Sequence, residues 1–132
     1  NWGGFGYMWE EPVVFTFIRS NRYTYQFMQQ EEGYTLSIFS EEYRGALRIL
    51  GNKSGKANDK VKETGLTPIK TPSGLLAYKE ARMIIECKNM MVQELDHRKT
   101  VPSYGIAEMY KNAPESHHSM FISQITNIWL KK

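Results

Sequence analysis

The apolar residues of this chain are gathered in short runs rich in β-branched and aromatic side chains, and that grouping limits the fold to one closed by a sheet. Val13 to Ile18, after Pro12, reads as a largely buried strand. Tyr34 to Phe39 alternates Tyr34, Leu36 and Ile38 against Thr35, Ser37 and Phe39, the pattern of a half-buried strand. Ala81 to Gln93 is the longest strand candidate, with Met83, Ile85 and Cys87 on one face, and Met120 to Leu130 is the last. A helix is expected from Tyr23 to Gln30, with Ser20 or Asn21 as N-cap and closure near Gly33. Ser40 caps a second helix, with Glu41 and Glu42 in its first turn, an inward face of Ala46, Leu47 and Leu50, and a stop at Gly51. A polar loop covers Asn52 to Asn58, and a short helix runs from Asp59 to Thr64, ended by Gly65. Thr71-Pro72-Ser73-Gly74 marks a tight turn between two strand candidates, and residues 97–116 read as an irregular excursion with one helical turn. Strands outnumber helices and are joined by turns or single short helices. The expected class is mainly β with peripheral helices, a barrel in preference to a doubly wound parallel sheet.

Size and charge narrow the role. The 132 residues suffice for one domain with a hydrophobic core, here taken as residues 1–132. A net charge of +3, with lysines and arginines spread along the chain, gives no support for nucleic acid as a partner. No apolar stretch approaches the roughly 20 residues that span a bilayer, so no membrane role is expected. Cys87 is the single cysteine. It admits no internal disulfide, fits the reducing cytoplasm, and beside Ile84 and Ile85 reads as a buried structural thiol. The chain opens on Asn1-Trp2-Gly3-Gly4, without an initiator Met or signal-peptide pattern, and is apolar and aromatic from the start. The expectation is that an N-terminal strand precedes it.

The densest chemistry is Arg19-Ser20-Asn21-Arg22-Tyr23-Thr24, where a strand enters a helix. Helix N-termini present orphan N–H groups and a partial positive charge, and arginine adds bidentate hydrogen bonds, so the segment suits a phosphate. Capping residues beside two solvated arginines are the alternative. Lys53-Ser54-Gly55-Lys56, with Asp59-Lys60, is a basic loop that could close over an anion or simply be solvated. It is not a P-loop: the glycine spacing from Gly51 is one residue short, Ala57 replaces Ser or Thr, and a helix precedes it. Trp2-Gly3-Gly4-Phe5-Gly6, followed by Tyr7 and Trp9, suits either a backbone lying close to a flat ring or an aromatic core corner. His117 and His118 would point to opposite faces of a strand, and Cys87 and His97 complete no zinc spacing, so no metal is expected.

Taken in order, these segments resemble the flavin reductase-like family of the flavoredoxin type. Trp2-Gly3-Gly4-Phe5-Gly6 with Trp9 and Pro12 is similar to its first block, and Arg19-Ser20-Asn21-Arg22-Tyr23-Thr24 to its "RPxRYT" phosphate block. Ser40-Glu41-Glu42-Tyr43-Arg44, Gly51-Asn52-Lys53-Ser54-Gly55 with Asp59-Lys60, and Gly65-Leu66-Thr67 continue the pattern. Glu80-Ala81 through Glu86-Cys87, and His118-Ser119-Met120-Phe121-Ile122, complete it over nearly the whole chain. Ser20 stands where the family usually has proline, and Asn1 where Ser or Gly is common. The family normally has several dozen residues before this point, including a strand and a segment that touches the flavin.

The resemblance implies an FMN-binding split β-barrel, usually a homodimer, that transfers a hydride from NADH or NADPH to flavin and often serves a partner monooxygenase. It places Arg19, Arg22, Tyr23 and Thr24 on the FMN phosphate and ribityl chain, and Asn1, Trp2 and Gly3 against the isoalloxazine. Phe39, Ser40, Ser54, Gly55 and Lys60 would line the rest of the pocket, and His118 would stand near the reactive face. A non-enzymatic FMN electron carrier, and a barrel that has lost flavin and serves as an interaction protein, are the alternatives.

Overall fold

The computed structural model describes residues 1–52 and 59–132. The elements run β1 (Trp2–Met8), β2 (Glu11–Arg19), α1 (Tyr23–Gln30), β3 (Gly33–Ile38), α2 (Arg44–Asn52) and α3 (Lys60–Thr64). They continue with β4 (Pro68–Lys70), β5 (Leu76–Tyr78), β6 (Met83–Leu95) and β7 (His118–Leu130). Five strands form one sheet in the order β1-β2-β7-β6-β3, antiparallel throughout, while β4 and β5 form a separate two-stranded ribbon. The architecture is mainly β with peripheral helices, as the strand-rich patterning implies.

Burial explains the strand patterns. Val13 and Val14, on opposite faces of β2, are both buried, so this strand is covered on both sides and reads as a continuous apolar run instead of an alternating one. Val14 packs with Ile85 and Cys87 at the sheet centre, with Tyr34, Leu36 and Ile38 of β3 against them. Ile18, Met28 and Phe121 fill the space beneath α1, and Ala77, Ala81 and Ile84 join the ribbon to the sheet. Each such side chain removed from water contributes roughly 1.5–3 kcal/mol for the larger residues. Cys87 is buried, and burial pushes its thiol up to about 12, which keeps it protonated and unreactive. Several polar groups inside the sheet are paired: Tyr34 Oη lies 2.8 Å from Ser123 Oγ and 3.0 Å from Thr16 Oγ1. The Glu86 carboxylate, fully buried, accepts from Thr71 Oγ1 (2.5 Å) and Trp129 Nε1 (2.8 Å), tying the β4–β5 turn to the sheet.

Several local expectations need correction. Arg22, not Ser20 or Asn21, is the N-cap of α1, and no side chain caps it. Ser20 is engaged elsewhere: its N–H donates to the His117 carbonyl (2.8 Å), and its Oγ accepts from the His117 N–H (3.1 Å). The segment after Ser40 begins as a 3-10 turn over Glu41–Tyr43, without a side-chain cap, and α2 continues through Gly51 to Asn52. Leu47 is exposed where an inward position was expected, because that face of α2 borders an open cavity. The excursion between β6 and β7 holds three 3-10 turns, His97–Lys99, Pro102–Tyr104 and Ile106–Tyr110. α3 matches its expectation closely: Asp59 caps it by accepting from the Lys62 N–H, and Gly65 ends it at φ 73°. No helix among the described residues is long and apolar enough to cross a membrane.

The aromatic start of the chain is neither a core corner nor a loop. It is β1, an edge strand, with Phe5 62% and Tyr7 73% exposed. Gly3 is demanded by the sheet itself, since a Cβ there would lie 2.4 Å from the Phe15 carbonyl oxygen. β1 and β2 meet in a two-residue turn, Trp9-Glu10, with both residues at positive φ (52° and 62°). That geometry suits Asn-Gly, and each L-residue held in the left-handed region costs roughly 1–2 kcal/mol. Glu10→Gly is therefore expected to raise unfolding free energy by about 1 kcal/mol in urea titration. A fall in stability would show that Glu10 is not strained there.

Candidate functional site

The site grows from the ladder between β2 and β7. Arg19 pairs with His118, so the two side chains project from neighbouring positions on one face. Beyond Arg19 the chain turns through Ser20 and Asn21 into the N-terminus of α1, whose first-turn N–H groups have no side-chain acceptor among the described residues. These elements border a cavity of about 870 Å³, within the range of roughly 300–1,000 Å³ typical of small-molecule sites.

Eight of the residues expected from the sequence meet around this cavity: Asn1, Trp2, Arg19, Arg22, Tyr23, Thr24, Lys60 and His118. Gly3 does not line it. Phe39 and Ser40 lie instead on a neighbouring depression of about 450 Å³, which shares Leu47 and Gly51 with the main cavity wall. Phe39 packs against the Ala77, Ala81 and Ile84 cluster. Ser54 and Gly55 lie outside the described residues. The sequence reading passed over Phe17, Ser37, Leu47, Leu50, Met109 and Tyr110, which complete much of the wall. Phe17 could have been found from its two-residue spacing to Arg19 on one strand face. Met109 and Tyr110 carried no such signal, because the loop between β6 and β7 has no period that predicts where it packs.

The charged groups do different things. Arg22 makes no side-chain hydrogen bond or ion pair with any described residue and is exposed at the cavity rim. Arg19 is committed: Nε donates to Ser116 Oγ (2.8 Å), Nη2 to the Ala113 carbonyl (3.3 Å) and Nη1 to the Met109 carbonyl (3.5 Å). Its guanidinium also lies 4.6 Å from the centre of the Tyr110 ring. Arg19 thus pins the loop that carries Tyr110 to the sheet. Lys60 Nζ donates to the Leu50 carbonyl (2.8 Å) and closes the gap between α2 and α3.

His118 is held on two sides. Trp2 stacks on its ring, with centroids 4.8 Å apart and planes inclined by 19°. Tyr110 Oη lies 2.5 Å from its Nδ1. Burial, then the positive charges of Arg19 and Arg22, and then His117 hold the His118 pKa below the ordinary histidine value, so the ring is neutral at neutral pH. The cavity therefore combines an arginine and helix amides that have no side-chain partner among the described residues at one end with a neutral imidazole and an indole at the other. That is the chemistry of an anion grip joined to a hydrogen-bonding aromatic wall. No group of three or more His, Cys, Asp or Glu side chains placed to hold a metal occurs among the described residues.

Comparison with known proteins shows the family and the fold. The flavin reductase like domain model matches residues 8–132. Flavoredoxin of Desulfovibrio vulgaris (Miyazaki F) superposes with a TM-score of 0.74 at 23% identity, over 99% of this chain and 59% of that one. An FMN-binding protein from Thermus thermophilus gives 0.73 at 16% identity, over 99% and 61%. Nitrilotriacetate monooxygenase component B from Bacillus cereus gives 0.74 at 12% identity, over 98% and 59%. The chain thus spans about three-fifths of the length of these structures. No curated protein sequence matches it. The fold is that of the split-barrel flavin reductases, and the chain belongs to the flavin reductase-like domain family.

Proposed function

We propose that this protein binds FMN in the cavity between α1, β1 and β7 and acts as a flavin reductase, with NADH or NADPH as the hydride donor. The observation that carries the reading is the uncapped N-terminus of α1 with the unpaired Arg22 beside it, facing the same cavity as the Trp2–His118 stack. A phosphate dianion fits that donor set, because the Tyr23 and Thr24 N–H groups and the Arg22 guanidinium have no acceptor among the described residues, while the Tyr25 N–H is spent on the Arg22 carbonyl. Tyr23 and Thr24 hydroxyls extend the grip toward a ribityl chain. Asn1, Trp2 and His118 form the opposite wall, while Phe17, Leu47, Leu50 and Met109 exclude water.

Bound flavin would supply the redox chemistry. The chain's own task is to orient and shield, and the neutral His118 offers one hydrogen-bonding nitrogen without adding charge. No acid or base of the protein is required by this reading. Flavoredoxin and the FMN-binding protein support flavin binding by their names, and the monooxygenase component supports a partner monooxygenase as acceptor. A cytoplasmic site of action fits the buried, reduced Cys87. Exposed apolar side chains on three strands, including Phe5, Tyr7, Met91, Val92, Trp129 and Leu130, support a homodimer. The second reading is an FMN electron carrier without nicotinamide turnover, which the same cavity would serve equally well.

Arg22→Ala is expected to weaken FMN affinity by roughly 10- to 100-fold in fluorescence titration, the value of one charge-assisted phosphate contact of about 1.5–3 kcal/mol, with folding stability unchanged. Unaltered affinity would remove Arg22 from the phosphate site. Arg19→Ala is expected instead to lower unfolding free energy by about 2 kcal/mol, because it frees the loop carrying Tyr110. FMN-dependent oxidation of NADH or NADPH would establish the enzyme. A flavin-loaded protein that oxidises neither nucleotide would leave the carrier reading in its place.

A further inference from the structure

We propose that Tyr110 is a positioning residue for His118, fixing the imidazole as the tautomer that carries its proton on Nε2. Tyr110 is buried at 6% exposure, and His118 Nδ1 is the one hydrogen-bond partner its hydroxyl has among the described residues. If His118 carried its proton on Nδ1, the phenolic proton would have no acceptor among the described residues, whereas a bare Nδ1 takes it. The hydroxyl therefore donates and Nδ1 accepts. Nε2, which makes no hydrogen bond to a described residue, keeps the proton and is the donor that His118 offers at the cavity wall.

Tyr110 is itself clamped, as a positioning residue must be. The His97 ring stacks on it with centroids 4.1 Å apart and planes inclined by 9°, while the Arg19 guanidinium lies 4.6 Å from the ring centre. His97 is anchored in turn by its Nε2, which lies 2.9 Å from the Pro114 carbonyl oxygen. The phenol thus meets His118 edge-on at 90°, with centroids 5.6 Å apart. Two of the three 3-10 turns between β6 and β7 deliver these groups, one carrying His97 and the other Tyr110. The loop that supplies Met109 to the cavity wall thus also holds the ring that meets His118.

The groups around His118 act in the same direction. Arg19 from β2, Arg22 at the start of α1 and His117, just before β7, all oppose a second proton on the ring. Trp2 from β1 covers the ring face, and Leu95 of β6 is its neutral cross-strand neighbour. Glu94, next along β6, lies 3.1 Å from His117 Nε2 and is spent on that ring. The Tyr110 hydroxyl adds to this set by stabilising the neutral form.

The inference rests on the proposed function only for what His118 would meet in the cavity, so its test uses no flavin. Long-range 1H–15N correlation spectra of histidine-labelled protein at neutral pH separate a protonated ring nitrogen from a bare one. The native protein should show His118 Nδ1 bare and Nε2 protonated. Tyr110→Phe should give a mixture of both tautomers and raise the His118 pKa. A native spectrum with the proton on Nδ1, or a Tyr110→Phe spectrum unchanged in tautomer and titration, would overturn the assignment. The native spectrum decides the first point even where the variant fails to fold. A failure of FMN binding would leave both readings of the spectrum intact.

Discussion

Arg19 lies beside His118 because Phe17 pairs with Met120 and Ile18 with Ser119 along the β2–β7 ladder, and a slip of one residue would turn these side chains to opposite faces. Ser119, Phe121 and Ser123 of β7 are all fully buried, as are Val13 and Ile18 of β2, so the register is enforced by packing on both faces. The cavity inherits its geometry from that register. β1 adds Trp2 over His118, and the turn after β2 delivers the open end of α1.

Around this rigid ladder, side chains that look alike in the sequence have separate work. Arg19 and Arg22 are three residues apart, yet one spends its hydrogen bonds on Ser116, Ala113 and Met109 and the other meets no described partner. The first builds the wall and the second is left for a ligand. His117 and His118 divide similarly: His117 lies against Glu94, and His118 turns to the cavity between Trp2 and Tyr110.

Much of the fold could be read from periodicity, because β3 alternates and β2, β6 and β7 carry dense β-branched or aromatic runs. α1 spans Tyr23–Gln30 as expected, since a polar turn precedes it and Gly33 follows. The errors sit where local chemistry is overruled. Ser20 looks like a cap but serves His117, and Gly51 looks like a stop but continues α2. The Trp-Gly segment suited either a flat ring or an aromatic core corner; it is an exposed edge strand, not a core corner, in which Gly3 makes room for the Phe15 carbonyl. The segment from Arg19 to Thr24 could be read as one unit because it is continuous in sequence. Tyr110 was not, because its partners Arg19, His97 and His118 come from three separate elements and only the folded loop brings them together.

The account depends most on the cavity accepting FMN. Its most direct test is the absorption spectrum of the purified protein after incubation with FMN and removal of the excess by gel filtration. Retained flavin bands corresponding to near one FMN per chain are expected. A colourless protein that takes up no FMN would contradict it.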